Sequence, residues 1–165
     1  MVVNKTALKH YARLAFKALK KPVIYFLLFI LAFFVAAPTY YYIHERGHQS
    51  EAKLYGWNYT TSYGQHELTF LGINMSYTAP DKVEAYGGIN GTKEQFFNFY
   101  ITPVAIGFTT PIFLLLFLVL IPRKYKNRYV EVFVAFFAFA LFADAFNSLY
   151  VFDGGDMWQI AHLFS

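Results

Sequence analysis

Three long apolar stretches, separated by polar segments, dominate the sequence. They cover residues 22–43, 101–122 and 129–152, and the first two contain no charged residue. A helix needs about 20 mostly apolar residues to cross the hydrocarbon core of a bilayer. The pattern therefore predicts three transmembrane helices.

The polar segments differ in character. In residues 1–21 apolar side chains recur at helical spacing among lysines and an arginine, which predicts an amphipathic helix on an anionic membrane surface rather than a solvated basic tail. In residues 57–100, alternating β-forming residues interrupted by Gly64 and Gly72 predict two or three short strands. The glycine-rich stretch 80–95 predicts a loop.

Composition places the whole chain in the membrane class. It is 57% hydrophobic and 15% charged, more apolar than 165 residues can bury in a soluble domain. We therefore predict one membrane-embedded domain over residues 1–165, all-α apart from a small β-rich loop between spans one and two. The chain has no cysteine, which excludes thiolate metal ligands. The net charge of +4 accompanies no nucleic-acid-binding motif.

The basic residues also predict an orientation in the cell membrane. They cluster in the N-terminal segment and in residues 123–128, and basic segments tend to remain cytoplasmic. Residues 49–100 are then exterior. Spans one and three run in the same direction, so the polar residues that follow each span lie at the same face of the membrane.

Span one, taken as residues 22–56, carries HERGH at residues 44–48. Residues at i and i+4 share a helix face, so His44 and His48 can bind one metal ion, with Glu45 beside it as a general base. The alternative is a solvated helix face. A catalytic zinc needs a third protein ligand. The tail, residues 153–165, offers Asp153 or Asp156.

Two motifs resemble the site-2 protease family of intramembrane zinc metalloproteases. The first is His44-Glu-Arg-Gly-His48 followed by Ala52 and Gly56, and the second is Asn147 followed by an Asp-Gly sequence, although Tyr150 stands where that family has proline. The resemblance implies one Zn²⁺ per chain and a zinc-bound water activated by Glu45. It also implies a catalytic role for Asn147, in holding the substrate carbonyl or orienting a ligand; the alternative for this residue is a hydrogen bond between helices of the bundle. The family's spacing slightly favours Asp156 over Asp153 as the third ligand.

The resemblance further implies cleavage in or near the transmembrane segments of membrane-protein or peptide substrates. The strands of residues 57–77 could bind an unwound substrate at a sheet edge, and a homo-oligomer is possible. The family commonly places zinc nearer the cytosol than the charge pattern does here. Two alternatives remain open. One is an HtpX-like membrane protease, whose third ligand would be a glutamate such as Glu84 or Glu94, and the other is a non-catalytic membrane protein that binds zinc or client helices.

Overall fold

The computed structural model describes residues 5–86, 91–149 and 155–165. The chain is mostly helical, with one two-stranded antiparallel sheet. In chain order the elements are helix α1 (Lys5–Leu54), strands β1 (Asn58–Phe70) and β2 (Ile73–Tyr86), helix α2 (Lys93–Leu120), a 3₁₀ turn (Arg123–Tyr125), helix α3 (Arg128–Asn147) and helix α4 (Asp156–Leu163).

Helix α1 is a single helix of 50 residues. The prediction of a separate amphipathic helix ending at residue 21 is wrong in this respect, because the helix continues through Pro22 and Pro38. A proline inside a helix loses one hydrogen bond and crowds the carbonyl four residues earlier, but the turns on either side sustain this long helix. The helix ends at Leu54, and two residues later Gly56 has a φ of +68°, which few other residues tolerate. The Trp57 N–H donates to Ala52 O and the Gly56 N–H to Lys53 O, which forms a Schellman motif.

Helices α1, α2 and α3 pack against one another as a bundle. Aromatic pairs join Tyr25 to Tyr129 and Phe29 to Phe136, so α1 and α3 run in the same direction. The core between them contains Ala36, Ala140 and Leu141. Small residues here let the helix backbones approach closely.

Three of the described helices are long and apolar enough to cross a membrane. The segments are Phe16–Leu54, Lys93–Leu120 and Arg128–Asn147. They contain most of the three predicted spans, although α3 ends at Asn147, before the predicted end at residue 152. Helix α2 begins at Lys93, earlier than predicted, because Thr92 and Gln95 form a capping box there.

The polar region between α1 and α2 folds as one long hairpin, with β1 paired to β2 along its length. The predicted β-rich region between spans one and two is confirmed, with two strands. The strands are longer than predicted, and the predicted loop over residues 80–95 is wrong at 80–86, since β2 extends to Tyr86, and at 93–95, which begin α2. A β-bulge at Ser62/Tyr63 shifts the register and leaves Asp81 between the paired residues Lys82 and Pro80. The turn places Leu71 and Gly72 at φ of 50° and 77°, which is typical of tight hairpin turns.

The hairpin lies alongside α1 rather than away from the bundle. At its base Val83 packs with Ala52, in the middle His66 packs on Tyr41 with ring centroids 4.3 Å apart, and at the tip Phe70 stacks on Phe33, also at 4.3 Å. From Ala52 to Phe33 the helix rises about 29 Å. The hairpin therefore extends over much of the apolar length of α1.

Candidate metal centre

Three side chains from two distant parts of the sequence meet at the end of the bundle. His44 and His48 lie one turn apart on α1, and Asp156 is the first residue of α4. Asp156 Oδ2 lies 2.9 Å from His44 Nε2 and 3.3 Å from His48 Nε2. The structure thus brings the two predicted histidines together with the slightly preferred aspartate. Asp153 lies outside the described residues.

Both imidazole rings are oriented by contacts at Nδ1, the ring nitrogen that does not face Asp156. His48 Nδ1 lies 2.9 Å from the carbonyl oxygen of Phe99, a buried contact in which Nδ1–H donates to the oxygen. His44 Nδ1 lies 3.4 Å from the Tyr40 hydroxyl. When Nδ1 carries the proton, Nε2 has a free lone pair. Contacts of this kind fix the tautomer of metal-binding histidines.

Glu45 is buried beside the two histidines, with 6% of its surface exposed. Ligand atoms of His44, Glu45 and His48 all lie within 4.8 Å of one another. Glu45 Oε2 and Asp156 Oδ2 are buried and have no hydrogen-bond partner of good geometry among the described residues. Unpartnered buried oxygens of this kind are costly unless a cation or a substrate completes their environment.

The donor set fits a zinc ion. Two imidazole nitrogens and one carboxylate oxygen are ligands that zinc accepts, and three protein ligands leave a position open. Burial raises the pKa of the Asp156 carboxyl, but the adjoining His44 and His48 outweigh burial and lower the pKa to about 2. The carboxylate is therefore ionised at neutral pH, as a metal ligand must be.

The three side chains open into a cavity of about 780 Å³. The end of β2, residues 81–85, lines this cavity together with Phe99, Tyr100 and Gln159. On the β2 wall Lys82 Nζ donates to Glu84 Oε1 at 2.8 Å, which raises the pKa of Lys82 and lowers that of Glu84. Glu84 also accepts a hydrogen bond from the Tyr86 hydroxyl. The cavity is large enough for a peptide segment.

A smaller cavity of about 320 Å³ is also lined by His44 and Glu45. Asn147 and Ser148, at the end of α3, line it together with Asp144. The structure therefore brings Asn147 to the same site as Glu45. No ion pair joins Asp144 to a histidine within the described ranges.

The close packing of α2 explains why residue 47, within HERGH, is a glycine. A Cβ at this position would lie 2.7 Å from the Cα of Pro103 on α2, closer than two such atoms can approach. Ala52 is likewise fully buried against the hairpin base and α2. These small residues bring α2 close enough for the carbonyl of Phe99 to reach His48.

None of the family models, curated proteins or solved structures compared with this chain matches it.

Sequence reasoning did not identify three contributors to the site. Tyr40 precedes His44 by four residues, so helical spacing alone could have indicated it. The backbone carbonyl of Phe99 carries no sequence signal. The wall formed by residues 81–85 was also missed, because the Asp, Lys and Glu of that segment resemble a solvated loop.

Proposed function

We propose that this protein is an intramembrane zinc metalloprotease that hydrolyses peptide bonds in or near the transmembrane segments of membrane proteins. One observation carries the proposal. Asp156 Oδ2 lies within 3.3 Å of Nε2 of both His44 and His48 at the end of apolar helices, and Glu45 is buried beside them. His44, His48 and Asp156 would hold the zinc. Bound zinc would supply Lewis acidity, which polarises a carbonyl and lowers the pKa of water.

Glu45 acts as the general base in this proposal. Its unpartnered Oε2 takes a proton from the attacking water as the water oxygen bonds to the carbonyl carbon. When the C–N bond breaks, Glu45 gives that proton to the leaving nitrogen. Glu45 is buried beside His44 and His48, so its carboxylate stays next to the two imidazoles that would hold the zinc.

Asn147 and β2 position the substrate. The Asn147 amide, in the smaller cavity beside Glu45, can donate a hydrogen bond to a substrate carbonyl. A substrate helix must unwind before its peptide bonds are accessible, and an extended peptide can pair with a free sheet edge. Residues 81–85 of β2 line the main cavity, so in this proposal the binding edge is that end of β2, beyond the predicted stretch 57–77.

The third-ligand aspartate favours this proposal over the HtpX-like alternative. Asp156 contacts both histidines, whereas Glu84 is engaged by Lys82 and Tyr86. Glu94 is an exposed residue in the first turn of α2. Neither Glu84 nor Glu94 forms an ion pair with His44 or His48, as Asp156 does.

Glu45→Gln tests the mechanism. Purified protein would be assayed for zinc content and for cleavage of a library of internally quenched transmembrane peptides. We expect one tightly held zinc per chain in both forms, and a loss of cleavage on the order of 10³-fold in the variant, because the base is removed. Glu94→Gln, an exposed control, should leave both unchanged.

Asp156→Asn should release the zinc, and Asp153→Asn should retain it. Equal cleavage by parent and Glu45→Gln would remove Glu45 from the chemistry. Zinc without any Glu45-dependent cleavage would favour the non-catalytic zinc- or client-binding protein. A folded chain that refuses added zinc would overturn the metal site itself.

A further inference from the structure

An open apolar groove of about 840 Å³ lies between α1, α2 and the hairpin. It is lined by Val35 and Thr39 of α1, Ile106 and Thr110 of α2, and Met75 of β2. The two threonine hydroxyls donate to carbonyls of their own helices, Thr39 to Val35 O at 2.7 Å and Thr110 to Ile106 O at 2.8 Å. Their polar atoms are thereby satisfied, and the groove presents an apolar surface.

Among the residues that the structure describes, Arg46 is the one charged residue that lines this groove. It is exposed, and within the described part of the chain no carboxylate forms an ion pair with it. An arginine guanidinium is a strong partner for phosphate. The groove therefore combines an apolar channel with a free cation.

The dimensions match one leaflet of a bilayer. Phe34 and Arg46 both line the groove and are separated by about 18 Å along the axis of α1. One leaflet contributes about 15 Å of hydrocarbon. An acyl chain lying toward Phe34 would thus place a lipid phosphate near Arg46.

The groove is separate from the catalytic cavity. Arg46 follows His44 by two residues and precedes His48 by two, so it lies about 200° from each and faces away from them. Over residues 5–86, 91–149 and 155–165, no lining residue of the groove is shared with either cavity at the metal centre. A substrate helix in this groove would not present its backbone to Glu45.

We infer that the groove binds one anionic phospholipid, with its phosphate on Arg46 and an acyl chain along α1 and α2. Cationic sites between transmembrane helices recognise anionic headgroups in this way. The inference rests on the membrane placement within the proposed function, and it does not depend on zinc or on proteolysis.

The test is native mass spectrometry of the full chain released from nanodiscs that contain equal amounts of phosphatidylglycerol and phosphatidylcholine. We expect the parent to retain one phosphatidylglycerol in preference to phosphatidylcholine. Arg46→Gln should reduce that preference about fivefold, as expected for the loss of one cation near a lipid headgroup. Arg46→Lys should keep most of it. Lys53→Gln, a cation of the same helix that does not line the groove, should leave the preference unchanged.

Val35→Trp tests the apolar part, because the indole would fill the groove without changing its charge. We expect this variant to lose the retained lipid. Equal retention of both lipids by the parent, or an Arg46→Gln preference equal to that of Lys53→Gln, would overturn the inference. Conversion of a dimer to a monomer by Val35→Trp would assign the groove to a second copy, and displacement of the lipid by a transmembrane peptide would assign it to substrate.

These readouts count lipids, so they separate the two proposals. A lipid preference in a chain that binds no zinc would support the lipid site and contradict the metalloprotease proposal. Zinc-dependent cleavage without a lipid preference would support the metalloprotease proposal and contradict the lipid site.

Discussion

At the residue scale, the candidate site depends on how two histidine rings are held. The two rings are held by different elements. His48 is oriented by a backbone carbonyl on α2, and His44 lies next to a hydroxyl one turn earlier on α1. The consecutive tyrosines at 40, 41 and 42 thus differ in role, because of these three only Tyr40 has its hydroxyl within hydrogen-bond distance of His44 Nδ1.

Tyr40→Phe should weaken zinc binding about tenfold, as the loss of an outer-shell hydrogen bond typically does. The ring remains, so the packing against Gly107 is kept. Zinc affinity would be measured by competition with a chromogenic chelator. Tyr42→Phe is the matched control, since Tyr42 lines the lipid groove instead. Equal affinities for the two variants would contradict a role for the Tyr40 hydroxyl.

At the element scale, the hairpin is joined to α1 by aromatic contacts along its length. Burial alternates along β1 on either side of the bulge at Ser62/Tyr63, and the phase shift at the bulge leaves Tyr59, His66 and Phe70 all on the less exposed face. Burial of Tyr77 beside Tyr41 raises its pKa to about 12, so it remains a neutral phenol at this contact. The hairpin is therefore a wall of the bundle, and its base reaches the metal centre.

Phe70→Ala should lower the free energy of unfolding by about 2 kcal/mol, because it removes the ring stacked on Phe33 and in edge contact with Phe29. Unfolding in mixed micelles would be followed by tryptophan fluorescence, since Trp57 lies at the hairpin base. Leu71→Ala at the same tip is the control. Leu71 is 62% exposed, and its truncation should change stability by less than about 0.5 kcal/mol. Similar losses in both variants would mean that the tip does not dock through Phe70.

At the scale of the whole molecule, the three long helices alternate in direction, which places the two basic segments at one end of the bundle. Helix α1 begins in the basic segment, and the basic turn between α2 and α3 lies at the same end of the bundle. The metal centre is at the other end. Which side faces the cytoplasm stays a prediction of the charge pattern.

The natural absence of cysteine allows a direct test of this arrangement. Single cysteines at Lys20, Lys124 and Glu94, all exposed positions, would be labelled with an impermeant maleimide in sealed vesicles. We expect Lys20→Cys and Lys124→Cys to react from the same side and Glu94→Cys from the opposite side. If the N-terminus is cytoplasmic, the first two are protected in intact cells. Labelling of Lys20→Cys and Glu94→Cys from one side would contradict the three-pass arrangement.

The sequence by itself determined the features that depend on local spacing. Apolar runs of membrane length predicted the three long helices, because the bilayer sets a fixed length. The i, i+4 spacing placed His44 and His48 on one face with Glu45 next to them. The continuity of α1 through Pro22 was not predictable in this way, since local breakers are overruled when neighbouring turns and packing sustain the helix.

Only the tertiary structure decided what depends on contacts between distant segments. It brought Asp156, more than a hundred residues away, to the two histidines, and it placed the backbone of Phe99 on His48. It also folded residues 58–86 into a hairpin along α1 and left Arg46 on the opposite face beside an apolar groove. These features follow from the close approach of α1 and α2 at Gly47 and from the parallel course of α1 and α3. No local periodicity encodes such approaches, because they arise from the packing of whole elements.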